Sequence, residues 1–73
     1  VPELPVLSGD QVVRVLGILG YEVERTRGSH IRLRAPGRPP LTIPRHHELD
    51  RGTLRAIIRQ ARLTVEEFVA LVD

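Results

Sequence analysis

The sequence predicts an α+β fold, α-β-β-β-α, in which a three-stranded antiparallel meander carries its helices on one face and a short extra helix closes the chain. Three observations carry that prediction. Apolar residues recur at helical spacing over residues 9–19, alternate with polar ones from Tyr21 to Ile43, and return to helical spacing after Gly52. Two turn signals, Arg27-Gly28-Ser29 and Pro36-Gly37-Arg38, cut the alternating stretch into three short runs. The whole chain has 73 residues, enough for one small core, so residues 1–73 are expected to form a single domain.

Each element has its own warrant. Residues 1–7, with Pro2 and Pro5, read as an extended lead-in without an obvious function, and because Val1 stands where an initiator Met would, the natural chain is expected to begin earlier. Ser8 and Gln11 form a capping box for a first helix whose Val12, Val13, Leu16 and Leu19 share a face. Gly20 is placed to stop it in a left-handed cap. Gly17 weakens its interior, which close packing against the sheet would explain. In the first strand Tyr21, Val23 and Arg25 form one set, with Glu22, Glu24 and Thr26 opposite. In the second, from His30 to Ala35, the apolar set Ile31, Leu33 and Ala35 should face the helices and leave His30, Arg32 and Arg34 on the other side. Pro40 to Ile43 is a short third strand, at an edge where prolines are tolerated. After the polar loop Pro44–Arg51, Asp50 or Gly52 begins a helix with Leu54, Ile57, Ile58 and Ala61 inward, and with Arg51, Arg55, Arg59 and Arg62 along one side. Thr64 and Glu67 form a second capping box, opening a last helix that packs back through Val65, Phe68, Val69 and Val72.

Composition narrows the function. Without cysteine there is no disulfide framework, thiol nucleophile or zinc ribbon, and no apolar run approaches the ~18 residues of a membrane span. The N-terminus lacks the pattern of a signal peptide, so a soluble, cytoplasmic protein is expected. All 11 cationic side chains are Arg. The formal charge of +2 conceals an uneven distribution: residues 25–62 hold ten Arg against two acids, while both ends are acidic. Arg is a fork of donors suited to phosphate oxygens. The aromatic residues are Tyr21 and Phe68, both suited to the core, so recognition by base stacking is not expected.

The bare sheet face is where chemistry could reside. His30 follows a Gly-Ser turn and lies among arginines, and His is the side chain able to give and take a proton near neutral pH. Spacing alone favours the plainer reading of a hydrophilic residue on a solvated strand. His46, His47, Glu48 and Asp50 lack the helical pairing of a zinc motif, so no metal and no cofactor is expected, and the loop serves as a helix cap or contacts RNA. The arginine stripe reads as a solvated face, a phosphate contact or a surface for an acidic partner.

Gly28-Ser29-His30, followed by Ile31-Arg32-Leu33-Arg34 and preceded by Leu19-Gly20-Tyr21, resembles the HicA (YcfA-like) family of toxins. So do Ile43-Pro44 with a following His, Glu48-Leu49 with Gly52-Thr53-Leu54, and Ile58-Arg59-Gln60-Ala61 with Leu63-Thr64 and Glu66-Glu67-Phe68. The likeness runs from about Leu7 to Leu71. The chain departs from it in having Arg where relatives often have Lys, and two His in the loop where one is expected.

The resemblance implies a double-stranded-RNA-binding-like fold and a toxin of a type II toxin–antitoxin system. It further implies a ribosome-independent, metal-independent endoribonuclease, an mRNA interferase, silenced by a HicB-like antitoxin. Its catalytic histidine maps onto His30. Arg27, Arg32 and Arg34 would then hold phosphate or flanking backbone, and Ser29 would donate a hydrogen bond or simply form the turn. The antitoxin is expected to cover His30 and the basic face. Two alternatives stay open: a non-catalytic RNA-binding module, and a protein-interaction domain facing an acidic partner.

Overall fold

The computed structural model describes residues 3–72, and the elements follow one another as α1 (Gly9–Gly17), β1 (Glu22–Arg27), β2 (His30–Ala35), β3 (Arg38–Pro44), α2 (Arg51–Gln60) and α3 (Val65–Val72). Val1, Pro2 and Asp73 lie outside the described residues. The strands form one antiparallel sheet in the order β1-β2-β3, and the helices cover one face of it, as expected for this α+β layout.

Local chemistry fixes the ends of the helices. At α1 the Ser8 hydroxyl accepts from Gln11 N (3.1 Å), while the Gln11 amide oxygen accepts from Ser8 N (2.8 Å). Thr64 and Glu67 repeat the arrangement ahead of α3, at 3.0 and 2.8 Å. Asp50 caps α2 by accepting from Thr53 N (2.9 Å). The far end of α2 closes less predictably. Leu63 N donates to Ile58 O and Arg62 N to Arg59 O, a closure that puts Arg62 at φ 62°. Arg62 is therefore not part of the helical stripe. Arg51, Arg55 and Arg59 line α2, and Arg62 sits beyond its cap.

The core gathers Leu16 and Val12 from α1, Ile31 and Leu33 from β2, Leu41 and Ile43 from β3, Leu54, Ile57 and Ile58 from α2, and Phe68 from α3. Each such side chain contributes about 1.5–3 kcal/mol by leaving water. Leu7 and Leu49 belong to it as well, so the lead-in has a structural part: Leu49 N donates to Leu7 O (2.8 Å) and Gly9 N to His46 O (2.9 Å). These bonds tie the start of α1 to the loop after β3. Gly9 approaches that loop so closely that a Cβ would strike the Pro44 carbonyl and lie 3.0 Å from Arg45 Cα. Gly17, by contrast, is exposed with no neighbour within 4 Å of a Cβ position. The expected packing of Gly17 against the sheet does not occur.

Two irregularities shape the sheet. Pairing runs Val23 to Leu33 and then Arg25 to Arg32, so Glu24 is an extra residue and β1 carries a bulge. Along β3, Leu41 pairs with Leu33 and Arg38 with Ala35, which leaves Pro39 and Pro40 opposite Arg34 alone. Prolines cannot donate to the ladder and a bulge accommodates them, so β3 begins at Arg38 rather than at Pro40. The helical layer stops short of β1, all of whose residues are exposed.

Candidate functional site

Alternation within β2 sends Ile31 and Leu33 into the core and leaves His30 and Arg34 exposed on the open face, with Arg32 half-buried between them. Pairing across the sheet decides their neighbours. His30 lies between Arg27 of β1 and Pro44 of β3, and Arg32 lies between Arg25 and Thr42. Gly28-Ser29 forms the two-residue turn between Arg27 and His30, with Gly28 at φ 58°, where a side chain would be strained. The Ser29 carbonyl accepts from Arg45 N (2.6 Å), which fastens the turn to the end of β3.

The bulge changes the membership of this face. Strict alternation would put Arg25 with Val23, on the helical side. One extra residue reverses every side chain beyond it, so Arg25 and Arg27 both stand on the open face, opposite Arg32 and His30. A shallow pocket of about 130 Å³ results, lined by Arg25, Arg27, His30, Arg32 and Thr42. That is well below the ~300 Å³ at which sites that enclose a small molecule begin, so it can seat one chemical group of a larger ligand that runs across the surface. Arg32 Nη1 donates to Thr42 Oγ1 (3.3 Å), which orients the guanidinium.

Glu24 supplies the one carboxylate paired with this face among the described residues. It contacts Arg34 Nε at 2.5 Å and Arg32 Nε at 3.9 Å. Arg25 and Arg27 have no acidic partner among the described residues. The His30 imidazole likewise forms no hydrogen bond with a described residue.

Of the residues singled out from sequence, Arg27, His30 and Arg32 come together in the pocket. Arg34 stands on the same face but outside the lining, held by Glu24, and Ser29 occupies the turn that precedes His30. Arg25, Thr42 and Glu24 escaped the sequence reading. Thr42 could have been found by extending polar–apolar alternation through Leu41 and Ile43, whereas the bulge leaves no mark in a strand that is polar on both sides.

The polar loop does structural work. His46 receives Gly9 N on its carbonyl, and Asp50 caps α2, where hydrogen bonding from Thr53 holds its carboxyl below the usual range. Among the described residues no three His, Asp or Glu side chains are grouped to hold a metal ion. A second groove, of about 240 Å³, lies between α1 and α3 and shares no residue with the open face.

A family model, the HicA toxin of bacterial toxin–antitoxin systems, matches residues 9–63. Among solved structures, a chain from a toxin–antitoxin complex of Streptococcus pneumoniae is similar at 36% sequence identity and a TM-score of 0.70, over 78% of this chain and 98% of that one. No curated protein matches the chain.

Proposed function

The chain belongs to the HicA family of toxins from bacterial toxin–antitoxin systems, and we propose that its activity is endonucleolytic cleavage of RNA on the open face of the sheet, with His30 as the catalytic residue. The observation that carries this reading is the pocket itself: one imidazole among three guanidiniums, on a face reachable by a long polymer.

In this reading the imidazole of His30 takes the proton of a ribose 2′-hydroxyl, and the 2′-oxygen forms a bond to the adjacent phosphorus. The bond from phosphorus to the 5′-oxygen breaks, and that oxygen leaves with a proton drawn from water or from the imidazolium. Arg27 and Arg32 neutralise the charge that develops on the phosphate oxygens. Arg34 and the Ser29 hydroxyl hold backbone on either side. Residues of the chain supply the base, the charge neutralisation and the backbone contacts, and the reaction is proposed to run without a metal or other cofactor. Cellular mRNA is the proposed substrate, met in the cytoplasm and independently of the ribosome.

The proposed partner is a HicB-like antitoxin that covers His30 and the basic face, which would block substrate and match charge at once. The similarity to a chain of a toxin–antitoxin complex supports a protein partner. A competing reading, a non-catalytic RNA-binding module, draws on the absence, among the described residues, of any hydrogen-bonded acid or base at His30.

One substitution separates the two. His30→Ala is expected to abolish cleavage of a long RNA and growth arrest on expression, while RNA binding persists. Cleavage at the unmodified rate by that variant would remove His30 from catalysis. If neither protein cuts RNA but both bind it, the binding-module reading stands instead.

A further inference from the structure

We propose that the bulge at Glu24 makes Arg25 a phosphate ligand of the site, and that the Glu24 carboxylate sorts the four arginines of the open face: Arg34 is held in a close ion pair, Arg32 is approached at 3.9 Å, and Arg25 and Arg27 are left free for RNA. The inference rests on the reading of this face as an RNA site. It goes further by naming which guanidiniums take the phosphodiester and which residue directs the choice.

Register supplies the first part. Arg25 reaches the open face only because Glu24 is an extra residue between the Val23–Leu33 and Arg25–Arg32 pairs. Once there it lines the pocket with Arg27, His30 and Arg32. Arg25 and Arg27 flank the strand from which His30 and Arg32 project, so four side chains able to donate to an anion converge from two adjacent strands.

Electrostatics supplies the second part. Glu24 pairs with Arg34 and approaches Arg32 more distantly, at 3.9 Å. A phosphate competing for Arg34 must displace a carboxylate, whereas one arriving at Arg25 or Arg27 displaces water only. Both residues are exposed and without an acidic partner among the described residues, so their donors are open to charge-assisted bonds with phosphate oxygens. The end of the face nearest His30 is thereby the more strongly cationic one. The reacting phosphate is drawn beside the imidazole, and Arg34 is left as the weaker contact with flanking backbone.

The test uses the full chain carrying His30→Ala, so that RNA stays intact, and reads the affinity for a labelled single-stranded RNA oligonucleotide by fluorescence anisotropy at several salt concentrations. Adding Arg25→Ala is expected to weaken binding about tenfold, the scale of one lost hydrogen-bonded charge contact. It should also flatten the dependence of log K on log salt by about 0.7, one phosphate contact on a single strand. Arg25→Lys should recover much of that affinity. Arg34→Ala is expected to cost less than Arg25→Ala, and Glu24→Ala, which frees Arg34, to tighten binding. Arg59→Ala, on α2, serves as the remote control. Equal affinity of the Arg25→Ala and parent proteins, or a larger loss from Arg34→Ala, overturns the proposal while leaving RNA as the ligand. Failure of the parent itself to bind RNA removes the function reading and this proposal together.

Discussion

Tyr21 shows how much a single side chain governs here. It is buried, and its hydroxyl donates to the Pro39 carbonyl at 2.8 Å, which pins the bulged start of β3. Burial pushes its pKa up, with Arg38 and Arg62 opposing that shift in part. A phenol whose pKa is higher in the folded than in the unfolded chain adds stability that is full below its ordinary pKa, and loses it as pH rises through the folded value. The chain has no Lys and no Cys, and Tyr21 is its one tyrosine. Stability between about pH 9 and 12 should therefore report on Tyr21 nearly alone. Urea denaturation should give a midpoint that falls across that range, and Tyr21→Phe should reduce the fall while costing about 1 kcal/mol at neutral pH. An equal alkaline fall in the Phe variant would assign the effect elsewhere. The glycines make a paired prediction. Gly9→Ala forces α1 away from Pro44 and should cost about 1–3 kcal/mol, whereas Gly17→Ala, in open helix, should add about 0.5–1 kcal/mol. Thermal melts of the two variants should move in opposite directions.

Among the elements, α2 is stabilised by packing in spite of its charges. Arg51, Arg55 and Arg59 stand four residues apart, and none has an acidic partner among the described residues. Its first turn holds Arg51 and no acid, against the helix dipole. Like charges at this spacing destabilise a helix by a few tenths of a kcal/mol per pair. Arg55→Glu replaces two repulsions by two attractions and should raise stability by about 0.5–1 kcal/mol at low salt, with the gain shrinking as salt is added. A lower melting temperature for this variant would mean that Arg55 makes a contact stronger than the repulsion. What the sequence made legible follows the same division by element. The caps at Ser8, Asp50 and Thr64 and the inward faces of β2 and α2 could be read because short polar residues and apolar periodicity each have a single structural use there. The strand β1 could not, since it buries neither face and nothing penalises a slip of register. Alternation therefore groups Arg25 with Val23, from which the bulge separates it, while His30, one strand away and followed by the buried Ile31 and Leu33, can only stand on the open face. The left-handed Arg62 was hidden for a related reason, because the residue most suited to that backbone, glycine, is absent from the position.

The whole molecule is two layers, 19 Å across its shortest dimension, and each layer displays its own set of arginines. Arg25, Arg27 and Arg32 surround His30 on the open sheet, while Arg51, Arg55 and Arg59 lie in the helical layer. Whether RNA is held by one layer or wraps both can be read from salt alone, because each phosphate neutralised on a single strand contributes about −0.7 to the slope of log K against log salt. Three contacts on the open face give a slope of about −2, and engagement of the α2 arginines as well would bring it to about −4. The sheet reading predicts the smaller value for the His30→Ala protein with a short RNA oligonucleotide, unchanged when Arg51, Arg55 and Arg59 are replaced together by Gln. A slope near −4 that falls to about −2 in the triple variant would extend the RNA path around the edge of the molecule. In that event an antitoxin covering the sheet alone would block cleavage without displacing RNA from α2.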